Sequence, residues 1–197
     1  VNGAPTVRVT TWWLEQTSPG DLSPAVRAPE APPLPAPVRS GVPSPEFSRF
    51  LYTAVGGDVT WTDRLPWDHA RWLAFLARPG VETWVAYERG TPAGFVELDG
   101  HDEGTVEISY FGLLPAFRGR GLGGHLLSFG TERAWDLGER WRGRAATRRV
   151  WVHTCTKDGP HALANYRRRG FRLFDTTVED EPAAEAPGPW PGAHDRQ

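Results

Sequence analysis

Apolar and polar positions along this chain change period several times, and each change predicts an element. Val7 to Thr17 is rich in β-branched and aromatic residues, with Trp12 and Trp13 at its centre, and reads as a strand. Prolines are dense from Pro19 to Pro45, which excludes regular helix or a central strand and predicts an extended segment over the domain or a linker. Glu46 to Val55 has helical character and is ended by Gly56-Gly57; Trp67 to Ala77 follows and stops at Arg78-Pro79-Gly80. Thr83 to Tyr87 and Gly94 to Leu98 flank Glu88-Arg89-Gly90-Thr91-Pro92, a hairpin signal. Val106 to Leu114 is a third strand after the turn His101-Asp102-Glu103-Gly104. Leu122, Leu126, Gly130, Ala134, Leu137 and Trp141 recur near helical spacing and predict one buried stripe. Arg149 to Thr154 reads as a strand, Pro160 to Arg169 as a helix and Phe171 to Val178 as a last strand.

Composition narrows the class. With 197 residues, 39% hydrophobic and 23% charged, the chain is expected to form one domain over residues 1–178. Glu179 to Gln197, acidic and Pro-rich, is expected to be a disordered tail. A net charge of −2 argues against a nucleic-acid partner. No apolar run approaches the ~20 residues of a membrane span, and no signal-peptide pattern opens the chain. A single cysteine, Cys155, excludes an internal disulfide and fits the cytoplasm. Between Arg140 and Arg149 arginine fills half the positions; with charge cancelled elsewhere, a solvated loop is expected rather than a nucleic-acid patch.

The most informative stretch is Leu113-Leu-Pro-Ala-Phe-Arg-Gly-Arg-Gly-Leu-Gly-Gly124. A glycine turn opening a helix leaves main-chain N–H groups free to bind an anion, and Arg118 and Arg120 add positive charge beside them. Gly119, Gly121 and Gly124 formally satisfy the dinucleotide fingerprint. However, four residues separate them from the strand, and the acid expected ~20 residues later has no match before Asp158. No Lys follows the glycines, so the P-loop pattern fails.

Leu113-x-Pro115-x-x-Arg118-x-x-Gly121-x-Gly123 resembles the acyl-CoA signature of the GNAT superfamily of N-acyltransferases, and Tyr166-x-x-x-Gly170-Phe171 is similar to the motif that closes its core. The order of elements between the two motifs matches as well. The resemblance implies an α+β fold: a central mixed, mostly antiparallel sheet of about six to seven strands, flanked by about four helices and splayed at the acyl-CoA site. It further implies a diphosphate held by main-chain N–H groups from Arg118 through Gly119, Arg120, Gly121, Leu122 and Gly123 to Gly124. Pantetheine would pair with the opened strand edge, and the Leu113 N–H would polarise the thioester carbonyl. Gly159 stands where many members carry an Asn for pantetheine, so Asp158 or Asn165 is expected to supply that contact. Gly112, inside a strand, marks a bulge or a close backbone approach.

By the same resemblance Glu107 is the expected base, acting on the amine through a water, and Tyr166 the acid that protonates the CoA sulfur. Alternation puts Glu107, Ser109 and Phe111 on one face of the strand and Val106, Ile108 and Tyr110 on the other. His153 and Cys155 share a strand face, where His153 could assist or replace Glu107; direct transfer needs no Cys155 nucleophile. No set of Cys and His has zinc spacing, so no metal is expected. Asp58 to Asp68, with Trp61, Trp67 and three acids, would wall the acceptor pocket and suit a cationic amine. The expected activity is transfer from an acyl-CoA, most simply acetyl-CoA, to a primary amine of a small molecule or peptide. A homodimer is compatible with this reading. The alternative is a non-catalytic acyl-CoA-binding sensor of the same fold.

Overall fold

The computed structural model describes residues 5–27 and 34–183. Part of the Pro-rich stretch and residues 184–197 of the expected tail lie outside the described residues. A seven-stranded sheet runs through the molecule in the order β2-β3-β4-β5-β6-β1-β7. Its strands are β1 (Thr6–Gln16), β2 (Val38–Arg39), β3 (Val81–Glu88), β4 (Thr91–Gly100), β5 (Thr105–Leu113), β6 (Arg149–Cys155) and β7 (Arg172–Pro182). Only β5 and β6 pair in parallel; every other neighbour is antiparallel.

Among the described residues five α-helices flank the sheet. Ser44 caps α1 (Pro45–Gly56) by accepting from the Phe47 N–H at 3.3 Å, with Pro at the first helical position. Asp68 caps α2 (His69–Leu76) in the same way through the Arg71 N–H at 2.8 Å, so the helix starts two residues after the expected Trp67. The expected single stripe from Leu122 to Trp141 divides at Asp136 into α3 (Leu122–Trp135) and a short α4 (Leu137–Arg140). The last is α5 (Ala162–Arg168). Leu122, Leu126, Leu127 and Ala134 of α3 meet Val96, Leu98, Ile108 and Val152 of the sheet in the main core. On the opposite face Leu51 and Val55 of α1 pack on Val85 and Phe95.

Three differences from the sequence reading have local causes. The hairpin turn tightens to Arg89-Gly90, both at positive φ, so Pro92 falls inside β4 next to a register shift, where its missing N–H is tolerated. The Pro-rich segment contributes the sheet-edge strand β2, and the Ser23 N–H bonds to the Arg169 carbonyl beyond α5. The final strand runs past Val178 to Pro182, because Glu179, Asp180 and Glu181 pair through their backbones with Val9, Arg8 and Val7. Lys157 holds Glu181 at 2.5 Å there. No described helix is long and apolar enough to cross a membrane.

Candidate active site

The sheet opens between β5 and β6. Their pairing covers only Thr105–Glu107 against Arg149–Trp151, whereas β5 stays on β4 as far as Leu113. The Leu114 N–H bonds to the Ala93 carbonyl, which makes Gly94–Leu113 a non-hydrogen-bonded pair. Main-chain groups of Phe111 and Leu113 therefore point away from β4, into the gap. A cleft of about 980 Å³ fills that gap; Glu107, Tyr110, Leu113, Gly123, Asn165 and Tyr166 all line it.

A bulge changes which side chains share the cleft wall. Glu97 pairs with Tyr110 and Leu98 with Ile108, leaving Ser109 as the extra residue. Simple alternation placed Tyr110 opposite Glu107 and Phe111 beside it. That expectation is corrected: the extra residue turns Tyr110 onto the Glu107 face, where it packs with Tyr52 and Trp61, and sends Phe111 to Tyr166 on the other. Gly112 marks a close approach instead of the bulge, since a Cβ there would lie 2.5 Å from Val55 Cγ1.

The glycine turn departs from its expected form in its arginines. The Arg118 guanidinium is drawn inward: Nε donates to the Leu113 carbonyl at 3.0 Å and Nη2 to the Val55 carbonyl at 3.2 Å, and both terminal nitrogens bind Asp58. Its backbone N–H is used by Pro115. Arg120 donates to Glu88 at 2.8 Å. The Arg118 guanidinium is fully engaged, which leaves the exposed Arg120 side chain and the main-chain N–H groups from Gly119 to Gly124 as donors. Gly119 and Gly121 both sit at φ +76°, and no side chain caps α3.

Glu107 is the last residue of β5 that pairs with β6, its side chain 16% exposed. His101 Nε2 is 3.4 Å from one carboxylate oxygen and His153 Nδ1 3.7 Å from the other. Burial, with a smaller push from Asp99, holds the Glu107 carboxyl above its ordinary value against the pull of the two histidines. Tyr166 is 6% exposed between Phe111 and Phe171; burial and then Asp158 raise its hydroxyl far above the usual tyrosine value. Asp158 itself accepts from Thr154 Oγ1 and the Cys155 N–H, which leaves Asn165 as the freer polar group at that end of the cleft. Burial, reinforced by Asp158, raises the Cys155 thiol, opposite to what an attacking thiolate needs.

The acids of the acceptor loop are engaged internally. Asp58 holds Arg118, Asp68 caps α2, and Asp63 accepts from the Tyr52 hydroxyl at 2.7 Å and from the Tyr110 hydroxyl. Trp67 stacks on a cation of the chain itself: Arg64, 6% exposed, lies 4.8 Å from that ring and 4.4 Å from Tyr110, with Glu97 at 2.8 Å. Trp61 and the Asp63–Tyr110 pair still face the cleft. Sequence reasoning missed Asp99 and His101; the strand register that sets Asp99 opposite Glu107 would have found the first.

The arginine-rich loop is neither a patch nor simply solvated. Arg140 binds the buried Glu82, Arg144 donates to the His101 carbonyl at 2.9 Å, and Arg149 binds Glu15 at 2.6 Å.

The profile of the acetyltransferase (GNAT) family matches residues 46–171. No curated protein sequence matches the chain. Among solved structures it is similar to a GCN5-related N-acetyltransferase from Kribbella flavida, with TM-score 0.58 and 21% identity, covering 89% of this chain and 59% of that one. A GCN5-related N-acetyltransferase from Sphaerobacter thermophilus is similar at TM-score 0.55 and 20% identity, covering 94% of this chain and 56% of its own. The chain thus spans less than two thirds of the length of these structures. The family match covers well over half of the sequence and the folds agree, and on that ground the chain belongs to the GNAT family of acetyltransferases.

Proposed function

We propose that this protein transfers an acyl group, most simply acetyl, from acyl-CoA directly to a primary amine of a small molecule or peptide. The observation that carries the reading is the single cleft in which the parted strand edge, the uncapped glycine turn, Glu107 and Tyr166 all meet. The N–H groups of Gly119 to Gly124 bind the diphosphate, aided by the positive end of α3. The pantetheine arm lies along the free edge of β5 and adds to it as a strand would. Asn165 serves its amides.

The Leu113 N–H, directed into the gap, polarises the thioester carbonyl. An aliphatic ammonium has a pKa near ~10 and must lose a proton before it can attack. Glu107 accepts that proton, through a water, and its raised affinity for protons suits the task. The Tyr166 hydroxyl stays protonated at neutral pH and donates to the departing sulfur. Cys155 takes no part. The acceptor enters past Trp61 and the Asp63–Tyr110 pair; the Arg64 cation already fills the Trp67 face, so the amine is oriented by Glu107.

The test is thiol release from acetyl-CoA across a panel of amines, with calorimetry of CoA binding in parallel. Turnover with at least one amine is expected. Tight CoA binding with no turnover across the panel would sink the catalytic reading and leave a sensor.

A further inference from the structure

Asp99 and Glu107 are directly opposed across β4 and β5 on one face of the sheet. Two charged carboxylates in that relation repel, and a proton or a cation between them relieves the repulsion. Arg78 reaches only one oxygen of Asp99. The other, Oδ1, is buried with no hydrogen-bond partner, in a residue 7% exposed. An orphaned carboxylate oxygen is costly unless something not yet named meets it.

His101 closes the group. One donor atom each from Asp99, His101 and Glu107 lie within 4.8 Å of one another. The separations of 3.4 Å from His101 and 3.7 Å from His153 to Glu107 exceed the ~2.8 Å of a charge-assisted hydrogen bond. The 3.4 Å between His101 Nε2 and its Glu107 oxygen is close to the roughly 3.3 Å edge of a tetrahedron built on bonds of about 2.0 Å. The His101 main chain is fixed by its backbone N–H on the Thr105 carbonyl and by Arg144 on its backbone carbonyl, and its ring stacks beside Trp151 at 6.4 Å. Mixed imidazole and carboxylate donors select transition ions over magnesium or calcium.

We propose that Asp99, His101 and Glu107 bind a divalent transition-metal ion of the zinc class. Arg78 on Asp99 is the outer contact that orients the ligand. Binding does not depend on Glu107 being the base, although an ion there would compete with a proton for that carboxylate.

The test uses the full folded chain without acyl-CoA. Calorimetric titration with zinc chloride at neutral pH is expected to give one equivalent bound. Cobalt(II) in its place is expected to give visible absorption of a low-coordinate site. His101→Ala, on an exposed turn, and Asp99→Asn should each weaken zinc binding at least about 10-fold. Glu107→Gln carries the same expectation should Asp99→Asn unfold on losing the partner of Arg78; circular dichroism identifies that case. Absence of one-to-one binding, or wild-type affinity in a folded variant, overturns the proposal. Thiol release is measured separately on metal-free protein, so that failure of zinc binding and failure of acyl transfer are distinguishable.

Discussion

Glu107 carries the sharpest residue-level expectations. Its carboxyl is held up by burial, so the acidic limb of the kcat/KM profile should lie above the ordinary carboxylate value and flatten in Glu107→Gln, with a loss of roughly 10²–10⁴-fold. The sign for stability is opposite. A raised folded value favours the protonated form, so this contribution is complete below the ordinary value and is lost as pH rises through the folded one. Thermal melts at neutral pH should therefore show Glu107→Gln at least as stable as the parent. Tyr166→Phe should lower kcat by roughly 10²-fold while leaving CoA affinity near the parent value, as stopped-flow and calorimetry would show. Glu107 was legible in the sequence through its distance from the glycine turn and Tyr166 through the Tyr-x-x-x-Gly-Phe pattern. Their environments were not, because His101 and His153 reach Glu107 from the turn after β4 and from β6, and Phe111 reaches Tyr166 from β5.

Among the elements, the turn and the bulge divide the work. Gly121 opens α3 at φ +76°, a conformation that costs an L-residue about 1 kcal/mol. Gly121→Ala should lower stability by about that amount and weaken CoA binding more than it changes kcat at saturation, checked by denaturant titration and steady-state kinetics. Glycines betray themselves in a sequence, so the turn could be read there. The bulge at Ser109 could not, since nothing in Glu107-Ile-Ser-Tyr-Phe signals an extra residue. The inward pull of Arg118 was equally hidden: its partners Asp58 and Val55 are remote in the chain.

For the whole molecule, the largest structural surprise is Glu82. Its side chain is fully buried and accepts from Arg140, from Trp84 Nε1 at 2.9 Å and from Trp141 Nε1 at 2.8 Å, so the arginine loop clamps the back of the sheet. Burial opposes ionisation, yet the bonds from Arg140 and Trp84, with the charges of Arg140 and Arg39, bring the carboxyl below its ordinary 4.5. Its contribution is thus present above that value and lost as pH falls through the lowered one. Glu82→Ala should cost about 3 kcal/mol in chemical denaturation at neutral pH, since it strands Arg140 and both indoles. The gap between the variants should narrow in acid. The sequence by itself determined most of the succession of strands and helices, the glycine turn that opens α3 and the family, because periodicity, glycines and short motifs are local and survive in one dimension. Only the tertiary structure decided which carboxylates are free, which cation fills the aromatic wall, which face Tyr110 takes and what meets at Asp99. Those outcomes depend on register and on partners distant in the chain, and pairing energies between remote residues leave no mark in the spacing of either one.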